Sequence, residues 1–184
     1  MLVLIGKSAS GKDTIKEILV KKYGFHPIVT YTTRPMRKDE IADITYHYIS
    51  NEDFITKIEE GFFAEWKKYH IGEETWYYGS AKDDLKNADN DAVVILTPDG
   101  VRDIKNNGIA ATVIYLYSNL STIKNRLKAR NDSNDKAEDR IQRDSKDFKD
   151  AEVLANKIVY NNDEMDVENA AELVALQYRK AIIT

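Results

Sequence analysis

The 184-residue sequence predicts an α/β protein of three layers: a central parallel sheet of about five strands with a small mixed α+β lobe inserted into it. Three observations carry that expectation. Apolar, β-branched runs at residues 2–5, 91–96, 110–117 and 157–160 have the near-continuous hydrophobicity of strands buried on both faces, with helical patterns between them. The first run opens directly into a glycine-bearing loop and a helix. Residues 30–80 break the alternation with short Thr- and Tyr-rich strands, which sets them outside the parallel sheet.

Leu2 to Ile5 lead into Gly6-Lys7-Ser8-Ala9-Ser10-Gly11-Lys12, then Asp13-Thr14 and an amphipathic helix with Ile15, Ile18 and Leu19 on one face. This is G-x-x-x-x-G-K, the phosphate loop of P-loop nucleotide-binding folds, with strand before and helix after. Gly6 and Gly11 let the chain curl so that successive backbone N–H groups, those of Ser8 and Ser10 included, converge on one anion. The helix N-terminus adds partial positive charge, and Lys12 reaches the outer phosphates. A plain Gly/Ser turn would explain the glycines but not the lysine and hydroxyls in register with them. The strict motif has Ser or Thr directly after the lysine; here Asp13 stands there and Thr14 follows, so Thr14 is the candidate hydroxyl for Mg²⁺ carried by a bound nucleotide. Asp13 either points away from the nucleotide or helps hold Mg²⁺ through water.

Bulk composition narrows the classes. Apolar content of 42% and charged content of 32% fit a globular protein with a core. A net charge of −4 argues against a binder of nucleic-acid backbone. The absence of cysteine excludes disulfides and thiolate chemistry, and no apolar run approaches the roughly 20 residues that cross a bilayer. The three histidines are scattered and form no metal-ligand pattern. A cytoplasmic protein, monomer or homodimer, is expected.

In chain order, Gly24 to Pro27 end the first helix, and Ile28 to Tyr31 are strand-like. Thr32-Thr33-Arg34-Pro35-Met36-Arg37-Lys38-Asp39-Glu40 follows, then Ile44 to Ile49 around Tyr46. Two arginines three apart beside Thr hydroxyls suit a phosphate monoester, which guanidinium forks grip bidentately, though spacing alone equally describes a solvated basic turn. The stretch from Thr30 through Arg34, Arg37, Glu40 and Tyr46 resembles the guanylate kinase signature S-x-T-T-R-x-x-R-x-G-E-x-x-G-x-x-Y, set a short way after a phosphate loop. The resemblance implies a nucleoside monophosphate (NMP) kinase, and it assigns Thr30, Arg34, Arg37, Glu40 and Tyr46 to the acceptor.

Ser50 to Asp53 resemble a capping box, opening a helix with Phe54, Ile55 and Ile58 inward. Phe63-Ala64-Glu65-Trp66 resembles the family segment whose glutamate reads the guanine edge, which places Glu65 there. Tyr77-Tyr78-Gly79-Ser80 resembles the family's Y-Y-G-[ST], implying that Tyr78 touches acceptor phosphate and Ser80 the base. Lys67 to Trp76 read as a connecting loop longer than is usual in the family. Residues 81–88 suggest a short helix, 91–96 a central strand, and 101–106 another helix. Where guanylate kinases usually have D-x-Q-G, this chain has Thr97-Pro98-Asp99-Gly100, so Thr97 replaces a carboxylate that contacts base or Mg²⁺. After the strand at 110–117, Ser118 is expected to cap a helix carrying Ile123 and Leu127 inward and Arg126 and Arg130 on one face. Residues 131–144 resemble the lid of NMP kinases, which makes Arg126, Arg130, Arg140 and Arg143 candidates to close on the transferring group; a charged helical hairpin with i,i+4 pairs would look alike. Asn161, in Lys157 to Asp163, matches the family's segment near the adenine pocket, and residues 164–182 form a closing helix.

One domain over 1–184 is therefore expected, with core at 1–29, 81–130 and 145–184, NMP-binding lobe at 30–80 and lid at 131–144. The resemblance implies ATP-dependent phosphorylation of GMP or dGMP with Mg²⁺; a kinase of broader or different base specificity is the alternative. A binding module of the same fold without catalysis is disfavoured, because the loop lysine and the candidate lid arginines are all present.

Overall fold

A computed structural model describes residues 1–38, 40–129 and 134–183, with residues 71 and 134–136 described by their backbone alone. The strands are β1 (Leu2–Ile5), β2 (His26–Pro27), β3 (Thr30–Thr32), β4 (Tyr46–Tyr48), β5 (Phe63–Ile71), β6 (Glu74–Ala81), β7 (Ala92–Ile95), β8 (Thr112–Tyr117) and β9 (Lys157–Tyr160). The helices are α1 (Lys12–Lys22), α2 (Asn51–Glu59), α3 (Lys82–Lys86), α4 (Pro98–Asn106), α5 (Leu120–Ala129), α6 (Asn134–Asp147), α7 (Ala151–Leu154) and α8 (Val167–Ile183).

Contacts divide the chain into two compact units: residues 1–27, 90–101 and 111–184, and residues 28–89 and 102–110. The first is a parallel five-stranded sheet of order β2-β7-β1-β8-β9. The α/β expectation holds. β1 is central and wholly buried, pairing with β7 on one side and β8 on the other, so its pure Leu-Val-Leu-Ile sequence has no solvent face to serve. Leu2, Leu4, Ile15, Leu19, Ile114, Val174 and Tyr178 fill one core, where α1 and α8 cover the sheet. Carrying β1 at the centre means that its C-terminal end, where the phosphate loop begins, projects from the middle of the sheet edge.

The second unit is a four-stranded mixed sheet, β4-β3-β6-β5, with β3 parallel to β4 and antiparallel to β6. Strand alternation sorts its residues. Tyr31, Phe63, Tyr77 and Gly79 turn toward α2, where Phe54 stacks on Phe63 (4.3 Å) and Tyr77 (5.2 Å). A Cβ on Gly79 would lie 2.9 Å from Phe54 Cζ and 3.0 Å from Phe63 Cδ1, so only glycine lets those rings lie against the strand. Thr32, Tyr46, Tyr48, Tyr78 and Ser80 share the opposite face, as the pairs Thr30↔Tyr46, Thr32↔Tyr48 and Thr32↔Tyr78 require. Between Phe63 and Glu65 the register slips, so Ala64 is an extra residue on β5 and Glu65 pairs with Ser80. Were Ala64 paired in the ladder, Glu65 would face Gly79 on the aromatic side; with the bulge, Glu65 joins the face of Thr32 and Ser80.

Several expectations are corrected. Lys67 to Trp76 are the outer part of a regular β5–β6 hairpin, paired from Lys67↔Tyr78 to Ile71↔Glu74, not a loop. The helix beginning at Leu120 is capped by Asn119, whose Oδ1 accepts from Thr122 N (2.8 Å); Ser118 instead donates its hydroxyl to Asn161 O (2.6 Å). Ile55 lies outward, 43% exposed, while Phe54 takes the inward place on α2. The cap of α2 is Ser50 as expected, accepting from Asp53 N (3.0 Å).

Candidate functional site

In the first unit the phosphate loop is bent by two residues in the left-handed region, Ala9 (φ 58) and Gly11 (φ 95). Gly11 has a second reason to be glycine: a Cβ there would lie 2.6 Å from Asn161 Nδ2. Ala9 bears the strain of its φ with its methyl buried against Ile123 and Leu127, a packing gain that offsets a cost of about 1 kcal/mol. Lys12 Nζ folds back to donate to Gly6 O (2.6 Å) and Lys7 O (2.9 Å), which holds the ammonium over the loop.

Around the loop a polar lattice fixes further groups. Asn161 Nδ2 donates to Ser10 O (2.8 Å), and Asn162 Oδ1 accepts from Asn119 N (2.9 Å). Arg126 Nη1 reaches Ala9 O and Ser10 O (both 3.4 Å), while its Nε lies 3.5 Å from Asp163 Oδ1. Ser10 Oγ and Asn161 Oδ1 are buried with no hydrogen-bond partner among the described residues. The structure thus brings the loop, Lys12, Arg126 and Asn161 together. Asp13 and Thr14 stand exposed in the first turn of α1. Arg140 and Arg143 lie on α6, which packs Ala137 and Ile141 onto the Ala9 cluster. Arg130 lies outside the described residues. Thr97 caps α4, its Oγ1 accepting from Gly100 N (3.1 Å).

In the second unit the sheet face of Thr32 and Tyr78 carries a cation and a carboxylate. Arg34, only 4% exposed, donates from Nη2 to Glu40 Oε1 (2.6 Å), from Nε to Tyr78 Oη (3.1 Å) and from Nη1 to Pro35 O (2.7 Å), and its guanidinium lies 5.7 Å from the Tyr46 ring centre. Glu40 Oε2 accepts from Arg37 N (2.7 Å) and Tyr48 Oη (2.8 Å). Burial pushes Arg34 down, yet Glu40 and Tyr78 outweigh it and hold it charged beyond its ordinary range. Burial likewise pushes Glu40 up, but the Arg34 hydrogen bond, Arg37 N–H and Tyr48 hydroxyl bring it down to about 2. The Arg37 side chain is exposed, so within the cluster Arg37 serves through its backbone.

Glu40's depressed value has a consequence for stability. The contribution is complete above its ordinary value of 4.5 and is lost as pH falls through about 2. Glu40→Gln is expected to cost about 2–3 kcal/mol at pH 7, by stranding a buried guanidinium as well as by removing the pair. Urea unfolding of the two proteins at pH 7 and pH 2 checks this: the gap should close at the acid end, and an equal gap at both would assign the loss to packing.

Glu65 is the second buried charge, 8% exposed, accepting from Ser80 Oγ (2.5 Å). Burial pushes its carboxyl up, the Ser80 hydrogen bond opposes this, and the nearby charge of Asp103 adds to it, for a value of about 7. Asn107 Nδ2 donates to both Ala64 O (3.0 Å) and Asp103 O (2.9 Å), which ties the end of α4 to β5 beside the bulge. Thr30 pairs with Tyr46 at the start of β3. Asp43, where the signature has a glycine, is in the left-handed region (φ 61) and is held there by His47 Nδ1 at 2.7 Å from its Oδ1. Tyr48, which donates to Glu40, is a member of this cluster that the motif reading passes over; the period of two from Tyr46 is the signal that would have found it.

Comparison with known proteins adds to this geometry. The family model for guanylate kinase matches residues 1–176. Among curated proteins, a guanylate kinase of Bdellovibrio bacteriovorus is 30% identical over 135 residues, 71% of each chain. A guanylate kinase of Mesomycoplasma hyopneumoniae is 26% identical over 193 residues, covering 98% of this chain and 96% of that one. A crystal structure of guanylate kinase from Anaplasma phagocytophilum superposes with a TM-score of 0.69 at 18% identity, over 98% of this chain and 85% of the other. Among the described residues no helix is long and apolar enough to cross a membrane.

Proposed function

The chain belongs to the guanylate kinase family and is a nucleoside monophosphate kinase, and from that premise we propose that it transfers the terminal phosphoryl group of ATP to GMP or dGMP. The observation that carries the base assignment is the pairing of buried Glu65 with Ser80 on the sheet face that also presents Arg34 and Tyr78. Guanine offers donors at N1 and N2 and an acceptor at O6. A carboxylate beside a hydroxyl supplies the complementary set.

In this reading the lobe at 30–80 takes the acceptor. Arg34, Arg37 and Tyr78 hold its phosphate, with Thr30 and Tyr46 lining the same face and Glu40 pre-orienting the Arg34 fork. Lys12 and the loop amides hold the donor's β- and γ-phosphates, Gly6 and Gly11 permit the approach, and Asn161 and Arg130 belong to the ATP side. An acceptor phosphate oxygen attacks the γ-phosphorus while the bond to the β–γ bridging oxygen breaks, leaving ADP. Positioning and charge stabilisation carry such a rate, so no general base is required. Arg126, Arg130, Arg140 and Arg143 answer the charge on the group in transit, and the segment 131–144 excludes water. Mg²⁺ fits as an ion carried by the phosphates: Thr14 offers a hydroxyl and Asp13 a carboxylate in one helical turn, and among the described residues no group of three or more metal-binding side chains gathers into a protein cage. Bound there, it would neutralise charge on the β- and γ-phosphates.

Thr97 favours a second reading, a kinase of broader base acceptance, because its hydroxyl is taken up in capping α4 and the position carries no carboxylate. A coupled ADP-release assay with Mg-ATP against GMP, dGMP, AMP, CMP, UMP and dTMP separates the two. Turnover confined to GMP and dGMP is expected. Turnover with another base would keep the kinase and discard Glu65 and Ser80 as guanine readers.

A further inference from the structure

The phosphate loop already holds an anion, and the chain supplies it. Ser8 N donates to Asp144 Oδ2 at 2.6 Å, across 136 residues of sequence. Asp144 shares one face of α6 with Ala137 and Ile141, the two residues that pack on the Ala9 cluster, so the helix delivers its carboxylate to the loop as a consequence of its seating. A loop built to gather N–H donors around phosphate is here giving one of them to a carboxylate.

We propose that Asp144 is an internal competitor for the donor's phosphate, so that nucleotide entry and departure of the Asp144 carboxylate from Ser8 are one equilibrium. This rests on the reading of the loop as the donor site. Two anions cannot share one amide at this range: the carboxylate takes the hydrogen bond that a phosphate oxygen needs, and its charge opposes the incoming phosphate. The affinity measured for a donor is then its intrinsic affinity reduced by the fraction of molecules whose amide is open. By reciprocity, donor binding expels the carboxylate by the same factor, which frees the helix bearing Arg140 and Arg143 to change its hold on the loop. The loop of an empty enzyme is thereby kept from binding stray phosphate as tightly as it binds a nucleotide whose remaining contacts meet the cost of displacement.

Calorimetric titration of wild type, Asp144→Asn and Asp144→Ala with ATP, and separately with inorganic tripolyphosphate, tests this. Both variants should bind both probes tighter, by about tenfold for alanine. Unchanged or weaker binding of both probes would overturn the proposal and make Asp144 a structural or donor-contacting residue. Tighter tripolyphosphate with no ATP binding in any of the proteins would keep the competitor and sink the ATP reading. If both variants fail to fold, the wild type still answers: the Asp144 carboxyl carbon resonance should move on saturation with tripolyphosphate, and a stationary signal would overturn the displacement.

Discussion

Replacing Lys12 with alanine should leave a folded protein whose kcat/KM for phosphoryl transfer falls about a thousandfold. The fold does not need the side chain. Lys12 is the first residue of α1, where alanine is the better helix former, and the carbonyls of Gly6 and Lys7 that its Nζ now satisfies lie at a part-buried rim that water can serve. In the proposed transfer the rate needs it, because charge would build on the β–γ bridging oxygen as the bond breaks, and an ammonium fixed on a rigid loop would meet that charge without reorganising. A thermal melt within a few degrees of wild type, read beside the coupled assay, is the check. Wild-type turnover in the variant would remove Lys12 from the mechanism.

Glu65→Ala is the other large effect, with kcat/KM for GMP falling by about a hundred- to a thousandfold while the KM for ATP stays within about twofold. Equal losses for both nucleotides would make Glu65 structural. The same carboxyl also sets a pH profile. Guanine's N1/N2 edge presents two donors, which the ionised carboxylate meets with two acceptors and the protonated acid meets with one donor too many. Burial, helped by Asp103 and opposed by Ser80, places Glu65 at about 7, so the KM for GMP should fall as pH rises through about 7 and then level. Glu65→Gln should flatten that profile, leaving only the titration of the GMP phosphate, which both proteins share; an unaltered profile in the variant would assign it to another group. Stability runs the opposite way. With its folded value raised, Glu65's contribution is complete below its ordinary 4.5 and declines as pH rises through about 7.

What could be read from the sequence divides by how far each signal reaches along the chain. The loop from Gly6 to Lys12 is legible because its chemistry is local: strand, curl and helix lie within a score of residues. Buried strands of the parallel sheet announce themselves by composition, yet β2 escapes, since His26 and Pro27 owe their strand character only to pairing with Ala92 and Val93. Ser118 and Asn119 are both able to cap; the choice falls to Asn119 because the Ser118 hydroxyl is claimed by Asn161, forty-three residues on. Lys67 to Trp76 hide their strand character under charge, with Lys67, Lys68, Glu73 and Glu74 in an exposed hairpin that needs no apolar alternation. Asp144 is beyond any such reading, because a single acidic residue in a charged helix looks like every other until the fold brings it to Ser8.

The bulge at Ala64 and the hairpin beyond it together separate what must be kept in frame from what can vary in size. Glu65 meets Ser80 at the foot of the hairpin, and every further pair out to Ile71 and Glu74 is stacked above that meeting. Matched pairs added or removed at the Gly72 end therefore change the reach of the arm and leave the Glu65–Ser80 pair where it was. Were Ala64 instead taken into the ladder opposite Ser80, Glu65 would slip to Gly79 and turn onto the aromatic side of the sheet. Length polymorphism belongs at the tip and frame sensitivity at the foot, so this lobe can lengthen its arm without parting Glu65 from Ser80.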